Sequence, residues 1–497
     1  MLLRASRAVH SFGGNLLEAP VYWCSCEPEE GTFDFSQVRE LIDLARQEKL
    51  YLILLWFGVN KNGHPTYVPE WVKRDPIRFP LVKGPDGMPV PTLSPYPEET
   101  VKADIRAFEA LMTCLRDYDG ETGTVLAVQI ENEVGFANTD RDYGEAGEAC
   151  HAMAVPENLR SVSIEGSDAP GNGNTWTACF GRYANEALAA WSWADFIEKL
   201  AIAGRKIYDL PMLVNVMLGE NSIREPGMCY NSGGAVSRVL EIWKRTAKHI
   251  DLIGPDIYLP DRDRFLEVLE AYDREDNTLF IPETMHAGEP VAMHMMHAFA
   301  DHGCVGLCCF GAESMLDSEG NLLESAETVV TSLRTVRSVA PLLLRYRGTG
   351  RVHAIVQQEF MDSQYLPLEG WHAEAAFVQG KGFFGLGSYL NARAPENRDL
   401  TQTRGRALLI QTGESEFFLA GAGVKVDFRS MRQVGDEAGF ARLMSRMSTT
   451  LNFLSVEEGH FEGDTWVTER YRNGDEANFA CYVHRGEVVR IRLNTAF

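Results

Sequence analysis

Along the first two thirds of the chain, apolar and polar positions follow two alternating periods. Ala19 to Cys24 are apolar, Pro28 and Gly31 mark a turn, and Val38, Leu41, Ile42 and Ala45 then repeat at the i, i+3, i+4, i+7 spacing of a helix burying one stripe. Ser36 stands where it can cap that helix, and Tyr51-Leu52-Ile53-Leu54-Leu55-Trp56-Phe57 resumes as a buried strand. A polar loop from Gly58 to about Pro97 precedes a helix marked by Ile105, Phe108, Met112 and Leu115. A strand starting at Thr124 then runs into Ile130-Glu131-Asn132-Glu133. An irregular stretch from Ala137 to about Thr175 leads to a helix from Asn185 to Ile207 and a strand from Met212 to Met217. Further strands are predicted at Asp251 to Tyr258, Thr278 to Pro282 and Cys304 to Phe310.

Seven strands alternating with helices, without hairpin signals, favour a closed parallel barrel. The expected fold is therefore α/β, a (β/α)8 TIM-type barrel lacking its first β-strand and most of its first helix, because residues 1–18 are too few to hold both. Either the chain is shortened at its start or something else closes the gap. From about Arg345 helical stripes give way to short alternating strands, so the expected division is a barrel over 1–344 and a C-terminal β-sandwich-like domain over 345–497. Hairpins are predicted around Gly421-Ala422-Gly423 and around Glu462-Gly463-Asp464, and a short helix over Ala438 to Met447. Nothing in this second part demands chemistry, which leaves support or carbohydrate contact as its role.

Composition narrows the partners. The 497 residues are 45% hydrophobic with a formal net charge of -23, which argues against nucleic acid or an anionic membrane, since both require clustered Lys and Arg. Without a long apolar run or a secretory signal, the chain is expected to be cytoplasmic. Ten cysteines are too dispersed for a disulfide scaffold, and Cys24-Ser25-Cys26 lacks a second ligand pair, so no metal is placed. The twelve histidines show no His-x-x-x-His spacing, and neither Gly-x-Ser-x-Gly nor a phosphate loop occurs; no cofactor is expected.

If the barrel forms, acids gather at its strand exits: Glu131 and Glu133 at one, Glu283 at another, Glu313 at the last. A barrel mouth brings such exits face to face, which paired-carboxylate hydrolysis requires, with about 5 to 5.5 Å between the carboxyl groups in retaining enzymes. Val128-Gln129-Ile130-Glu131-Asn132-Glu133-Val134-Gly135 resembles the signature of glycoside hydrolase family 35 β-galactosidases. Trp23 with Glu27-Pro28-Glu29-Glu30-Gly31-Thr32-Phe33-Asp34-Phe35 resembles a segment those enzymes share with family 42. Leu55-Trp56-Phe57-Gly58, Pro255-Asp256-Ile257-Tyr258, Ile281-Pro282-Glu283 and Phe310-Gly311 look like the bacterial branch with a β-rich C-terminal domain. Val456-Glu457-Glu458-Gly459-His460-Phe461 and Asn473-Gly474-Asp475-Glu476 are similar to parts of that domain.

The resemblance implies a retaining exo-glycosidase acting on terminal β-galactosides, with Glu133 as acid/base and Glu283 as nucleophile. It also implies that Asn132 binds the sugar 2-hydroxyl and that Glu131 supports the site. Trp23, Trp56, Tyr258 and Phe310 stand near strand exits, where they could stack on a pyranose or, as Tyr258, hold a carboxylate; core packing is the alternative for each. Another β-glycoside, whether glucoside, xyloside, fucoside or arabinopyranoside, remains an alternative substrate. A catalytically silent carbohydrate-binding relative is the alternative from another class. An open barrel edge leads us to expect a homo-oligomer.

Overall fold

The computed structural model describes residues 2–169, 171, 173–220, 223–359, 361, 363–377, 404–431, 453–472 and 481–495. The ten-residue helix α1 (Leu2–Ser11) precedes the first strand–helix–strand unit, which comprises β1 (Leu16–Tyr22), α2 (Trp23–Cys26), α3 (Ser36–Gln47) and β2 (Tyr51–Lys61). The predicted stripe Val38, Leu41, Ile42 and Ala45 is the buried face of α3. Ser36 does not cap this helix. It is the first helical residue, and its N–H donates to Asp34 Oδ1 at 2.8 Å.

The long loop after β2 folds into α4 (Glu70–Lys73) and a small hairpin, β3 (Leu81–Lys83) with β4 (Pro89–Leu93), before α5 (Glu98–Asp119) and β5 (Val125–Asn132). The stretch expected to be irregular contains α6 (Glu145–Ala152). After α7 (Trp176–Phe180), α8 (Ala184–Ile207) leads to β6 (Met212–Met217), α9 (Leu240–Thr246) to β7 (Leu252–Asp256), α10 (Arg262–Tyr272) to β8 (Ile281–Thr284), and α11 (Glu289–Ala300) to β9 (Leu307–Cys309). Strands β1, β2, β5, β6 and β7 pair in that order, all in parallel. A parallel bridge from Ile257 to Thr284 carries the ring on to the β8–β9 pair.

Alternation along β2 shows how the ring is filled. Leu52, Leu54 and Trp56 join the large core shared with the helices, whereas Ile53 and Leu55 join a small core with Ala127, Leu213, Cys308 and Phe280, the residue just before β8, to which no helix contributes. The small core is the barrel interior. Between β9 and β1 some Cα atoms approach within 8 Å, yet no ladder joins the two strands among the described residues. Among the described residues the fold is thus an α/β barrel of seven parallel strands with one seam.

After α12 (Glu324–Ser338) and α13 (Ala340–Tyr346) the chain becomes antiparallel. It forms β10 (Val352–Val356), β11 (Ser363–Leu368), β12 (Trp371–Phe377), β13 (Arg406–Gln411), β14 (Glu416–Ala422), β15 (Val424–Ser430), β16 (Phe453–Glu462), β17 (Thr465–Tyr471), β18 (Cys481–Val483) and β19 (Glu487–Leu493). Among the described residues two sheets, β10-β13-β14-β19-β16-β17 and β11-β12-β15-β18, enclose one core. The hairpin expected around Gly463 forms, with Glu462 opposite Thr465. The one expected around Gly421-Ala422-Gly423 does not: β14 lies in the larger sheet and β15 in the smaller. Only Gly423, at φ +68°, separates them, one residue fewer than the shortest common hairpin loop. The helix expected over Ala438 to Met447 and the motif Asn473 to Glu476 lie outside the described residues.

Candidate active site

Parallel strands present their C-terminal ends at one mouth, and there β5, β6, β7 and β8 deliver Asn132 and Glu133, Asn215, Asp256, and Glu283. Glu131 and Glu133 both take left-handed backbone conformations, at φ +60° and +45°. Such conformations cost non-glycine residues about 1–3 kcal/mol each, so surrounding bonds must hold the turn. They do so at Glu133, whose N–H donates to Asn215 Oδ1 (2.8 Å) and whose C=O accepts from Asn231 Nδ2 (2.7 Å).

Asn215 is the hub beneath the mouth. Its Nδ2 donates to Asp256 Oδ2 at 2.7 Å and also reaches Asn132 Oδ1 (3.2 Å) and Glu283 Oε1 (3.5 Å). Asn132 Nδ2 donates to Asn62 Oδ1 at 2.8 Å, an acceptor shared with Lys61 Nζ at 2.6 Å. Tyr258 donates its hydroxyl to Glu283 Oε2 at 2.5 Å.

Burial and mutual charge set the protonation of this group. Burial first, and then the charge of Glu283, push the Glu133 carboxyl up to about 7, against the pull of Asp256 and Lys61. Burial also raises Glu283, while the Tyr258 hydroxyl and Lys61 restrain the rise. The two carboxyls therefore sit in unlike surroundings: Glu283 receives a phenolic hydrogen bond, and Glu133 faces another acid.

Not every expected residue reaches the mouth. Glu131, Trp56 and Trp23 are 0% exposed, so the tryptophans pack in the core rather than stack at the mouth, and Glu131 supports the site from beneath instead of binding substrate. Glu131 turns away under β2 and accepts the backbone N–H groups of Gly58 (3.0 Å), Val59 (2.9 Å) and Asn60 (2.9 Å), beside Asp104. Trp56 donates to Asp104 Oδ1 at 2.8 Å and packs on Phe108. Trp23 donates to Glu27 Oε2 at 2.8 Å, and Glu27 also takes the Gly31 amide and Arg106. The segment after β1 is therefore an internal clasp rather than part of the mouth. Phe310, by contrast, is 59% exposed and stands edge-on to Tyr258, with ring centres 6.5 Å apart.

Residue reasoning alone missed Asn215, Asp256, Lys61 and Glu18. Asn215 and Glu18 do carry a signal, since each is the one polar side chain in an apolar strand, and Asp256 ends one as Glu133 does. A cavity of about 700 Å³ follows the seam between β1 and β9, lined by Leu16, Glu18, Leu307, Cys308 and Phe310, and reaches Glu283. Burial, and then the charge of Glu283, hold Glu18 well above the usual carboxylate range. Glu313 lines the same cavity from the turn after β9. Among the described residues no group of three or more His, Cys, Asp or Glu is placed to hold a metal ion, and no helix is long and apolar enough to cross a membrane.

Residues 329–481 match the model of a domain of unknown function, DUF5597. No curated protein matches the chain by sequence. Among solved structures, a β-galactosidase from psychrophilic Marinomonas ef1 is similar at 16% identity and a TM-score of 0.49, over 68% of this chain and 57% of that one. The catalytic domain of a β-amylase from Paenibacillus polymyxa is similar at 11% identity and a TM-score of 0.48, over 67% of this chain and 93% of that one. An exo-β-1,4-mannosidase from Opitutaceae bacterium strain TAV5 is similar at 14% identity and a TM-score of 0.41, over 67% of this chain and 55% of that one. This chain thus spans little more than half the length of that β-galactosidase.

Proposed function

We propose that the chain is a retaining exo-β-glycosidase of the family 35 β-galactosidase type, with Glu133 as acid/base and Glu283 as nucleophile. The observation that carries this reading is the pair itself: two carboxyls from the ends of β5 and β8, Glu133 buried and Glu283 half-buried, with burial first and then the charge of Glu283 raising Glu133 to about 7. Glu283 attacks the anomeric carbon while Glu133 gives its proton to the departing oxygen. Esterification removes the charge of Glu283, so the Glu133 pKa falls and the same group can take a proton from water in the second step. Asn132 stands beside the pair to bind the 2-hydroxyl, and the Tyr258–Phe310 corner offers apolar surface at the rim. All ten cysteines are free, which suits the cytoplasmic location and reducing compartment that belong to this reading.

The test is hydrolysis of a panel of aryl β-glycosides by the parent chain and by Glu133→Gln and Glu283→Gln. Both variants are expected to lose roughly 100- to 10,000-fold in kcat. Azide is expected to rescue an alanine variant at 133 as the β-glycosyl azide and one at 283 as the α-glycosyl azide. No turnover by the parent on any glycoside overturns the activity, whereas preference for a β-glucoside over a β-galactoside overturns only the sugar. The seam between β1 and β9 leads us to propose a homo-oligomer as well, and a monomeric mass at micromolar concentration refutes it.

A further inference from the structure

Asp256 ends β7 directly below the two carboxyls and is 2% exposed. Asn215 satisfies its Oδ2, but its Oδ1 is buried and receives no donor. The titratable groups that face it most strongly are Glu133 after β5, Glu283 in β8, Glu18 in β1, Tyr258 just beyond it and Tyr272 from α10, and among the described residues no cation forms an ion pair with it. Lys61 acts on Glu133 and Glu283 instead. An ionised Asp256 would be a buried, unpaired third charge with an orphaned oxygen, whereas a protonated one has an acceptor at hand in Glu133.

We propose that Asp256 is a neutral positioning residue, which keeps its proton throughout the working range and donates it in a hydrogen bond to Glu133. This fixes the acid/base carboxyl against the Asn215 hub while leaving its other oxygen free for substrate. Burial, with the charges of Glu283 and Glu133, drives the Asp256 carboxyl well above the usual carboxylate range, in keeping with that state. Functionally the proposal rests on Glu133 as acid/base.

Asp256→Asn keeps shape, neutrality and a donor, whereas Asp256→Ala removes the donor. The asparagine variant is expected to keep kcat within about threefold and to leave the alkaline limb of kcat/KM in place, and the alanine variant to lose roughly 10- to 100-fold in kcat. If Asp256 were ionised, Asp256→Asn would remove a neighbouring negative charge and move the alkaline limb down by about a unit or more, which overturns the proposal. Infrared difference spectra of the parent and Asp256→Asn at pH 7 decide the protonation state without any turnover. Loss of a protonated-carboxyl band is expected, and loss of carboxylate bands alone refutes the proposal even if no glycoside is cleaved.

Discussion

At the scale of single residues, the roles proposed for Glu133 and Glu283 impose opposite demands on pH. The acid must hold its proton in the first step, so kcat/KM is expected to fall as pH rises through about 7, where Glu133 ionises in the free enzyme. The nucleophile must have lost its proton, so the acidic limb belongs to Glu283. The Tyr258 hydroxyl restrains the rise of that limb by donating to the carboxylate. Tyr258→Phe should therefore shift the acidic limb to higher pH, leave the alkaline limb nearly in place, and lower kcat/KM about tenfold, as a lost hydrogen bond to a charged group would. A pH–rate profile checks all three, and an unmoved acidic limb contradicts the assignment of Glu283. That Glu133 and Glu283 stand at strand exits was legible, because each comes at or just past the end of an apolar run. The direction in which Trp23, Trp56 and Glu131 point was not legible, because sequence gives a residue's place along a strand but not which way the chain turns it. The left-handed φ of Glu131 sends its carboxylate back under β2.

At the scale of elements, the site depends on how closely strands approach. Gly254 lets β7 lie against β8: a Cβ there would stand 2.5 Å from Pro282 Cγ and 2.9 Å from the Phe280 carbonyl oxygen. Gly254→Ala is expected to cost about 1–3 kcal/mol through overpacking and to push Asp256 away from Glu283, lowering both Tm and kcat. Thermal melts paired with kinetics check this, and a variant with unchanged kcat would mean that β7 and β8 can separate without disturbing the mouth. Helix α3 was legible down to its four buried residues, since a 3.6-residue period names its own face. Strand ends were less so. The strand expected over Thr278 to Pro282 runs from Ile281 to Thr284, because pairing with β9 rather than local apolarity sets its limits. The corner at Gly423 was unreadable for a related reason: apolar strands on both sides of a glycine pattern alike whether they pair with each other or enter two different sheets.

At the scale of the molecule, dividing the chain at 344/345 is our proposal, and it separates architectures rather than stabilities. Val291, Met295, Val329 and Val330 from α11 and α12 share one core with Val352, Leu408, Ile410 and Phe418 from the larger sheet. The alternation of periods made both architectures legible, but not this shared core, because a helix stripe does not say which sheet covers it. Stability of the whole should then answer to the buried acids of the barrel. Burial holds Asp104 up to about 6 and Glu133 up to about 7, and it raises Glu131, Asp256 and Glu18 as well. In the unfolded chain these groups ionise near their ordinary values, around pH 4. Between about pH 4 and 7 the folded state therefore binds more protons, and rising pH favours unfolding. His294, held down to about 4 chiefly by burial, works the other way, losing stability as pH falls below its unfolded value of about 6.5. Burial lowers His151, His353 and His484 in the same sense, but the raised acids are more numerous, with Glu186 and Glu283 among them, and self-repulsion from the net charge of -23 acts in their direction. Tm measured at constant ionic strength is thus expected to be highest near pH 5 and to fall by several degrees by pH 8. A Tm that rises over that interval would mean that these raised acids are already ionised in the folded chain, and the proton on Glu133 that the proposed first step needs would be absent with them.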